Sequence, residues 1–418
     1  MADHCLAFAL SDPSNDTFEK KCDHSRAEIC AECHKLGESL ATIETACAEL
    51  KSEEERDDTT CLVQNAKKDI LAWKTHQLRR VNQDPAKYDV LDILIHNSAL
   101  LVMDCAMKFL PRKLRESQCD WFAKRGIPWH ITVVLTRPKE SSPFEKLTFE
   151  HVFESCPQDS VAVAGVLRDV LVTLKEHRPE LEKVYCKQDN AGCYHCGSKI
   201  VGSKTSNHAG VKVERFDFSD PQGGKGEADR QAATIKGHIN VYLNEGHDVN
   251  NAAQMKEVIE SNGGIPGVIV KYVKLREASS DKIMVKWDGI SALNNFQFEE
   301  RGIRVWKAYK MGPGKLVPWK DIQSDGGSTV VLEVLESPVQ SPQSSFKIVK
   351  PRKEAIQTNT VTTSEKDTAT QGVEDEEAKV EANGLFTCPE DGCIRTFQQS
   401  SSLQAHLDAG RHKARIRG

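Results

Sequence analysis

Four residues near the C-terminal end of the sequence have the chemistry and spacing of zinc ligands. They follow the pattern Cys-x4-Cys-x12-His-x5-His, and they are Cys388, Cys393, His406 and His412. Zinc binds four such ligands in a tetrahedron, which two cysteines on a hairpin and two histidines on a helix can supply. The spacing therefore predicts a two-Cys, two-His zinc finger of ββα form over residues 385–418, with Zn²⁺ bound.

The predicted finger is too short to be held together by apolar burial, so the metal must supply its folding energy. Phe397 and Leu403 lie between the second cysteine and the first histidine, where the apolar residues of such a finger pack. The positions that would face a nucleic-acid groove carry Gln399, Ser402 and Ala405, whose short side chains read bases weakly. One finger covers about 3 base pairs, which is too few for a genomic address.

The finger has two features that bear on its partner. The five-residue gap between its histidines contains Gly410 and is similar to fingers that bind duplex RNA or contact proteins. The tail is basic and suits phosphate groups, through Arg411, Lys413, Arg415 and Arg417. We expect DNA as the partner, with duplex RNA or a protein as alternatives.

A second group with zinc-compatible side chains lies within residues 1–35. Its members are Cys22, His24, Cys30 and Cys33. The Cys-x2-Cys pair can share one metal ion, and His34 is an alternative ligand. The group is either a zinc knuckle or a set of free surface thiols.

Three aspartates have the placement of a divalent-cation site. Asp104 lies on an apolar strand, Asp189 directly follows another strand, and Asp229 lies near the start of a helix. Carboxylates held together repel unless cations lie between them, and two Mg²⁺ or Mn²⁺ ions about 3.5–4 Å apart would neutralise them. Such a pair of ions clamps the attacking and leaving oxygens of a phosphodiester, so these aspartates are the predicted catalytic residues.

Other residues near the third aspartate and after the second leave alternatives open. Asp220 and Glu227 compete with Asp229 for its role, and any one of these acids alone is usually a turn or cap residue. The run Cys193-Tyr194-His195-Cys196 follows Asp189 and could hold a second zinc ion or pack at a helix start. His195 could also contact substrate phosphate.

Composition limits the classes of protein that fit. A chain of 418 residues usually forms two to four units. The formal net charge of −5 excludes a generally basic polyanion binder, so a nucleic-acid surface must be local. No apolar run reaches the ~18 residues that span a bilayer, and the first residues do not read as a signal peptide. We expect no membrane partner, reduced cysteines and a nuclear location.

Hydrophobic periodicity predicts how the chain is organised. A helical region covers 36–94, with a second helix over Ala66–Val81 after a charged break at Ser52–Thr60. These two antiparallel helices suit a homodimer contact. From 95 to 248 the pattern predicts three strands, a helix, two further strands and a last helix, which together make a mixed five-stranded sheet with helices.

The rest of the chain is predicted to form two simpler segments. Residues 265–320 read as a small β domain with strands separated by glycine-containing turns. Residues 321–384 are rich in Ser, Thr, Gln, Glu and Lys and read as a disordered linker. The expected architecture is therefore multidomain.

The acidic segments resemble a known superfamily. They are Leu100-Leu101-Val102-Met103-Asp104, Val184-Tyr185-Cys186-Lys187-Gln188-Asp189-Asn190, and the turn from Ser219 to Asp229-Arg230. With the predicted element order, they resemble the ribonuclease H-like core of transposases and retroviral integrases. The resemblance implies an acid on the first strand, one after the fourth strand and one in a later helix. The commoner third residue there is Glu, and this chain has Asp229.

The resemblance implies a function and leaves one alternative. The chain as a whole, finger included, is similar to transposon-derived proteins of animals. We expect metal-dependent cleavage and strand transfer of DNA phosphodiesters by Asp104, Asp189 and Asp229. The alternative is a catalytically inactive domesticated transposase that regulates through its finger by binding DNA, RNA or protein.

Overall fold

The computed structural model describes most of the chain. It covers residues 5–22, 30–122, 124–139, 142–205, 209–220, 226–275, 285, 287–322, 332–339, 347–349, 386–387 and 396–397. The chain divides into two units, Met1–Arg352 and Lys353–Gly418. None of the described helices is long and apolar enough to cross a membrane.

Eight α-helices are described in the first unit. They are α1 Leu6–Leu10, α2 Ala31–Ala48, α3 Glu53–Ile93, α4 Gln118–Trp121, α5 Ser160–His177, α6 Gly197–Thr205, α7 Glu227–Asn244 and α8 Ala252–Glu260. The helix predicted between the third and fourth strands is confirmed as α5.

The described strands of the first unit form one mixed sheet. They are β1 Ser98–Phe109, β2 Ile127–Thr136, β3 Phe144–Phe153, β4 Lys183–Gln188, β5 Lys212–Phe218, β6 Val268–Leu275, β7 Asn295–Glu299, β8 Gly302–Trp306, β9 Lys315–Pro318, β10 Leu332–Glu336 and β11 Lys347–Val349. The order is β10-β6-β3-β2-β1-β4-β5-β7-β8-β9, and β11 pairs with β3. The protein is therefore mixed α/β with one large sheet.

The centre of this sheet is apolar on both faces. β1 pairs antiparallel with β2 and parallel with β4, and β4 pairs parallel with β5. On one face, Leu101 packs with α5 and α6, while on the other Leu100 packs with α7 and α8. Since both faces are covered, the central strands read in the sequence as continuous apolar runs. Such runs are easy to locate from the sequence.

The predicted break between the two N-terminal helices is confirmed, but it covers residues 49–52 and the charged run that follows is helical. Ser52 caps the N-terminus of α3, and its side chain accepts a hydrogen bond from the Glu55 N–H at 3.4 Å. Acidic residues in a first turn favour a helix because they face its positive end. The charged run therefore starts α3, which continues to Ile93 rather than ending at Val81.

The predicted division after the core is also wrong in part. β6 pairs with β3, and β7 pairs with β5, so strands within 265–320 extend the central sheet on both sides instead of forming a separate small domain. Inside the predicted linker 321–384, β10 pairs with β6 and β11 with β3. The segment of β10 reads Leu-Glu-Val-Leu-Glu, a short apolar-rich stretch that the polar average of the region conceals.

The second unit has a short described hairpin. Its strands are β12 Phe386–Thr387 and β13 Thr396–Phe397, and they pair antiparallel with Phe386 opposite Phe397. The hairpin flanks the segment that contains the two predicted cysteine ligands.

Candidate functional site

Two of the predicted catalytic aspartates lie at neighbouring positions in the sheet. In the parallel β1–β4 pair, Met103 is opposite Gln188, and Asp104 and Asp189 are the next residues along each chain. Because side chains alternate along a strand, Asp104 lies on the face of Val102, which is the face that α7 covers. The sheet register therefore places the two aspartates side by side at the C-terminal end of β4.

Asp229 lies in the first turn of α7. Its Oδ2 accepts the Gly226 N–H at 2.8 Å, which caps the start of the helix. Ala228 is buried against the sheet while Asp229 itself is exposed. The third predicted residue thus lies at the rim of the site, whereas Asp104 and Asp189 are half-buried.

The charges of the three aspartates act on one another. The pKa of the Asp104 carboxyl is raised to about 7, first by burial, then by the negative charge of Asp229, and then by that of Asp189. Two like charges disfavour a third, and a cation between them would remove the penalty. The three aspartates therefore share one electrostatic environment, and at neutral pH Asp104 is partly protonated.

The side chains are close but are not arranged as ligands. Among the described residues, no group of three His, Cys, Asp or Glu side chains is placed to hold a metal ion. The carboxylate of Asp229 is engaged with the Gly226 N–H, so it would have to rotate to face Asp104. The charges of Asp189 and Asp229 act on Asp104, and side-chain rotation would be needed to complete a cation site.

The two competing acids are neutralised by α3. Asp220, which is buried, contacts His76 Nδ1 at 2.6 Å and accepts the Arg79 Nε–H at 3.1 Å. Glu227 forms ion pairs with Lys87 and with Arg230.

The ion pair with Lys87 also decides the ionisation of Glu227. Burial acts to raise the pKa of the Glu227 carboxyl, but the Lys87 ammonium outweighs burial and the pKa is lowered. Asp220 and Glu227 therefore belong to ion pairs and are poor candidates for the third ligand.

The predicted triad differs from these acids in its surroundings. Within the described part of the chain, no Lys, Arg or His side chain lies within ion-pair distance of Asp104, Asp189 or Asp229. Half-buried carboxylates without a cation are unfavourable unless they have a ligand or a proton.

The residues that follow Asp189 pack beneath β1. The Tyr194 hydroxyl bonds His130 Nε2 at 2.8 Å and Cys105 Sγ at 3.3 Å. His195 is buried and its ring stacks on Phe218 with centroids 4.4 Å apart. Burial lowers the pKa of His195. His195 therefore packs inside the fold next to the acidic residues, which agrees with the packing alternative.

The N-terminal cysteines are only partly described. Cys30 is the N-cap of α2, and Cys33 lies in its first turn, where its Sγ accepts a hydrogen bond from Lys74 Nζ at 3.1 Å. Cys22 is half-buried, and His24 lies outside the described residues. Both alternatives for this group, a zinc knuckle and free thiols, stay open.

The four predicted finger ligands all lie outside the described residues. They are Cys388, Cys393, His406 and His412. The described pairing of β12 with β13 has the two-stranded form that a finger needs before its helix.

No protein-family model matches the chain, and no curated protein sequence matches it. Function must therefore be inferred from the strand order and from the acidic site.

Sequence reasoning missed the contribution of α3 to the site. His76, Arg79 and Lys87 lie on one side of this helix together with Gln83, which is buried and donates to the Phe218 carbonyl at 3.2 Å. The available signal was the recurrence of polar residues at helical spacing beyond Val81, where we ended the predicted helix.

Proposed function

We propose that the chain has a ribonuclease H-like core that cleaves and transfers DNA phosphodiesters with divalent cations. The strand order supports this proposal. The central order β3-β2-β1-β4-β5, with β4 and β5 parallel to β1, agrees with an acid on the first strand and an acid after the fourth. The third acid then comes from α7, the helix after β5.

One observation carries the proposal. The pKa of Asp104 is raised to about 7, first by burial and then by the charges of Asp229 and Asp189, and none of the three aspartates has a cationic partner among the described residues. Perturbed ionisation of this kind clusters at functional sites. Oxygen-only ligands favour Mg²⁺ or Mn²⁺ over zinc.

Each aspartate would have a separate task. Two bound Mg²⁺ or Mn²⁺ ions would activate the attacking hydroxyl and stabilise the leaving oxygen of the phosphodiester. Asp104 must lose its proton before it can act as a ligand. Asp189, half-buried at the end of β4, offers an oriented carboxylate, and Asp229 must release the Gly226 N–H.

A nicking assay with the full chain tests the proposal. We expect Mn²⁺-dependent nicking of supercoiled DNA, which Asp104→Asn abolishes because an amide is a poor ligand for a hard cation. Asp288→Asn is the matched control, since Asp288 is an exposed aspartate outside the site. Absence of nicking and of Mn²⁺ binding in the unmodified chain would contradict the proposal.

The proposal includes a zinc finger at the C-terminus. We expect a peptide of residues 385–418 to fold on adding Zn²⁺, as measured by circular dichroism, and Cys388→Ser to abolish this change. Loss of a thiolate removes much of the binding free energy that is also folding free energy. A spectrum that does not change with zinc would contradict the finger.

One observation favours the inactive alternative. The Asp229 carboxylate caps α7, and the described residues include no formed ligand set. If Mn²⁺ does not bind and the finger folds with zinc, the chain is a domesticated transposase that acts as a binding protein. DNA, duplex RNA and protein would then be compared as ligands of the finger.

A further inference from the structure

The helix α3 is packed against the core along its second half. Gln83 Nε2 donates to the Phe218 carbonyl at 3.2 Å, and Arg215 donates to the Ala86 carbonyl at 2.7 Å. As residue numbers rise along α3, its contacts move back along β5. The helix therefore runs antiparallel to β5 and passes the edge where that strand ends.

At this end of β5, α3 contacts the chain at two positions that precede the site's third acid, Asp229. His76 and Arg79 hold Asp220, which lies two residues after β5. Lys87 holds Glu227, which is the first residue of α7. The side chains of Lys87 and Glu227 are only 16% and 18% exposed, so water screens this ion pair weakly.

The ion pair constrains the rotation of α7 about its own axis. Residues two apart in an α-helix point about 200° apart, which places Glu227 and Asp229 on nearly opposite sides of the first turn. If Lys87 holds Glu227 on one side, the direction of Asp229 on the other side is fixed. A small rotation of this turn would change the direction in which the Asp229 side chain leaves the helix.

We propose that Lys87 is a positioning residue for the acidic site, which acts through Glu227 to fix the direction of Asp229. This inference rests on the proposed function, because it assumes that Asp229 is a cation ligand. The N-terminal helix α3 would then help to build the acidic site. Removing partners that orient metal ligands typically weakens metal affinity 10- to 100-fold.

A double-mutant cycle on the full chain tests this role. Lys87→Met and Glu227→Gln should each weaken Mn²⁺ binding about 10-fold or more. The double variant should lose no more Mn²⁺ affinity than either single variant does. Lys68→Met is the matched control, because Lys68 is exposed on the same helix, and its Mn²⁺ affinity should not change. Additive losses, or none, would overturn the proposal.

A second measurement needs no metal and so separates this inference from the proposed function. Amide hydrogen exchange in peptides that cover the first turn of α7 should be faster in Lys87→Met than in Lys68→Met. If the unmodified chain binds no Mn²⁺, the proposed function fails, and faster exchange would still show that Lys87 fixes this turn. Unchanged amide exchange would overturn the inference, whether or not the unmodified chain binds Mn²⁺.

Discussion

Two groups of acids lie at the same edge of the sheet and differ in what surrounds them. Asp220 and Glu227 each have cationic partners on α3. Asp104, Asp189 and Asp229 have none among the described residues, and the pKa of Asp104 is raised to about 7. Both groups come from the same stretch of fold, so burial alone does not separate them.

Under the proposed function, this is the difference expected between a structural acid and a functional one. A carboxylate with a cation beside it stabilises the fold and keeps its charge. A cluster of carboxylates without a cation destabilises the fold, and such a cluster persists where a ligand supplies the missing charge. The predictions below test this contrast by applying the same Asp→Asn change to both groups.

The largest expected effect is on catalysis. Asp189→Asn and Asp229→Asn should each reduce Mn²⁺-dependent nicking to background, as Asp104→Asn should, because each removes one hard ligand. Asp288→Asn should nick at the unmodified rate. Nicking that survives in Asp229→Asn would remove that residue from the site and would direct attention back to Glu227.

The next effect is on stability and has an unusual sign. Between pH ~4 and 7 the folded chain keeps a proton on Asp104 that the unfolded chain releases, so this residue reduces stability as pH rises. Asp104→Asn does not titrate and should raise the free energy of unfolding at pH 8 by up to about 4 kcal/mol without divalent cations. Urea unfolding at pH 8 and pH 4 measures this, and a gain that does not shrink at pH 4 would contradict it.

The same substitution at the other group should act in the opposite direction. Asp220→Asn leaves His76 and Arg79 without a charged acceptor, and charge-assisted hydrogen bonds each contribute about 1.5–3 kcal/mol. We expect a loss of about this size in the free energy of unfolding at pH 8. A stabilised Asp220→Asn variant would remove the contrast between the two groups.

How much of this could be read from the sequence depends on the range of the interactions. β1 is apolar on both faces and β4 alternates half-buried and buried residues, so local pattern located both strands and placed Asp104 and Asp189. Pairing of β6 with β3 joins residues far apart in the chain, and no local pattern encodes it. Local pattern therefore provides no reason to attach residues 265–320 to the central sheet.

The misread start of α3 had a larger consequence. The charged run from Ser52 interrupts the apolar pattern and so predicts a break, although Ser52 and the acids after it are also good helix starters. The predicted helix ends at Val81, so Lys87 lies outside it and its ion pair with Glu227 of α7 is not predicted. The place of Asp229 near the start of a helix follows from the local sequence. The ion pair between Lys87 and Glu227 that fixes this turn depends on tertiary contacts.

The smallest expected effect is a difference between two variants. Asp229 contributes more than Asp189 to the raised pKa of Asp104. Asp229→Asn should therefore lower that pKa more than Asp189→Asn does, and should leave a smaller loss of stability between pH 4 and 8. Unfolding curves of both variants across this range provide the comparison, and the reverse order would show that Asp189 is the nearer charge.

The central claim is that the unpaired acids form a cation site that is protonated in the absence of metal. Isothermal titration calorimetry with Mn²⁺ at pH 7, in buffers of different ionisation enthalpy, measures the affinity and the protons released together. With the pKa of Asp104 at about 7, Mn²⁺ binding should release about half a proton per chain. Asp104→Asn should abolish the binding and the proton release with it. Binding that persists in Asp104→Asn, or that releases no proton, would contradict the account.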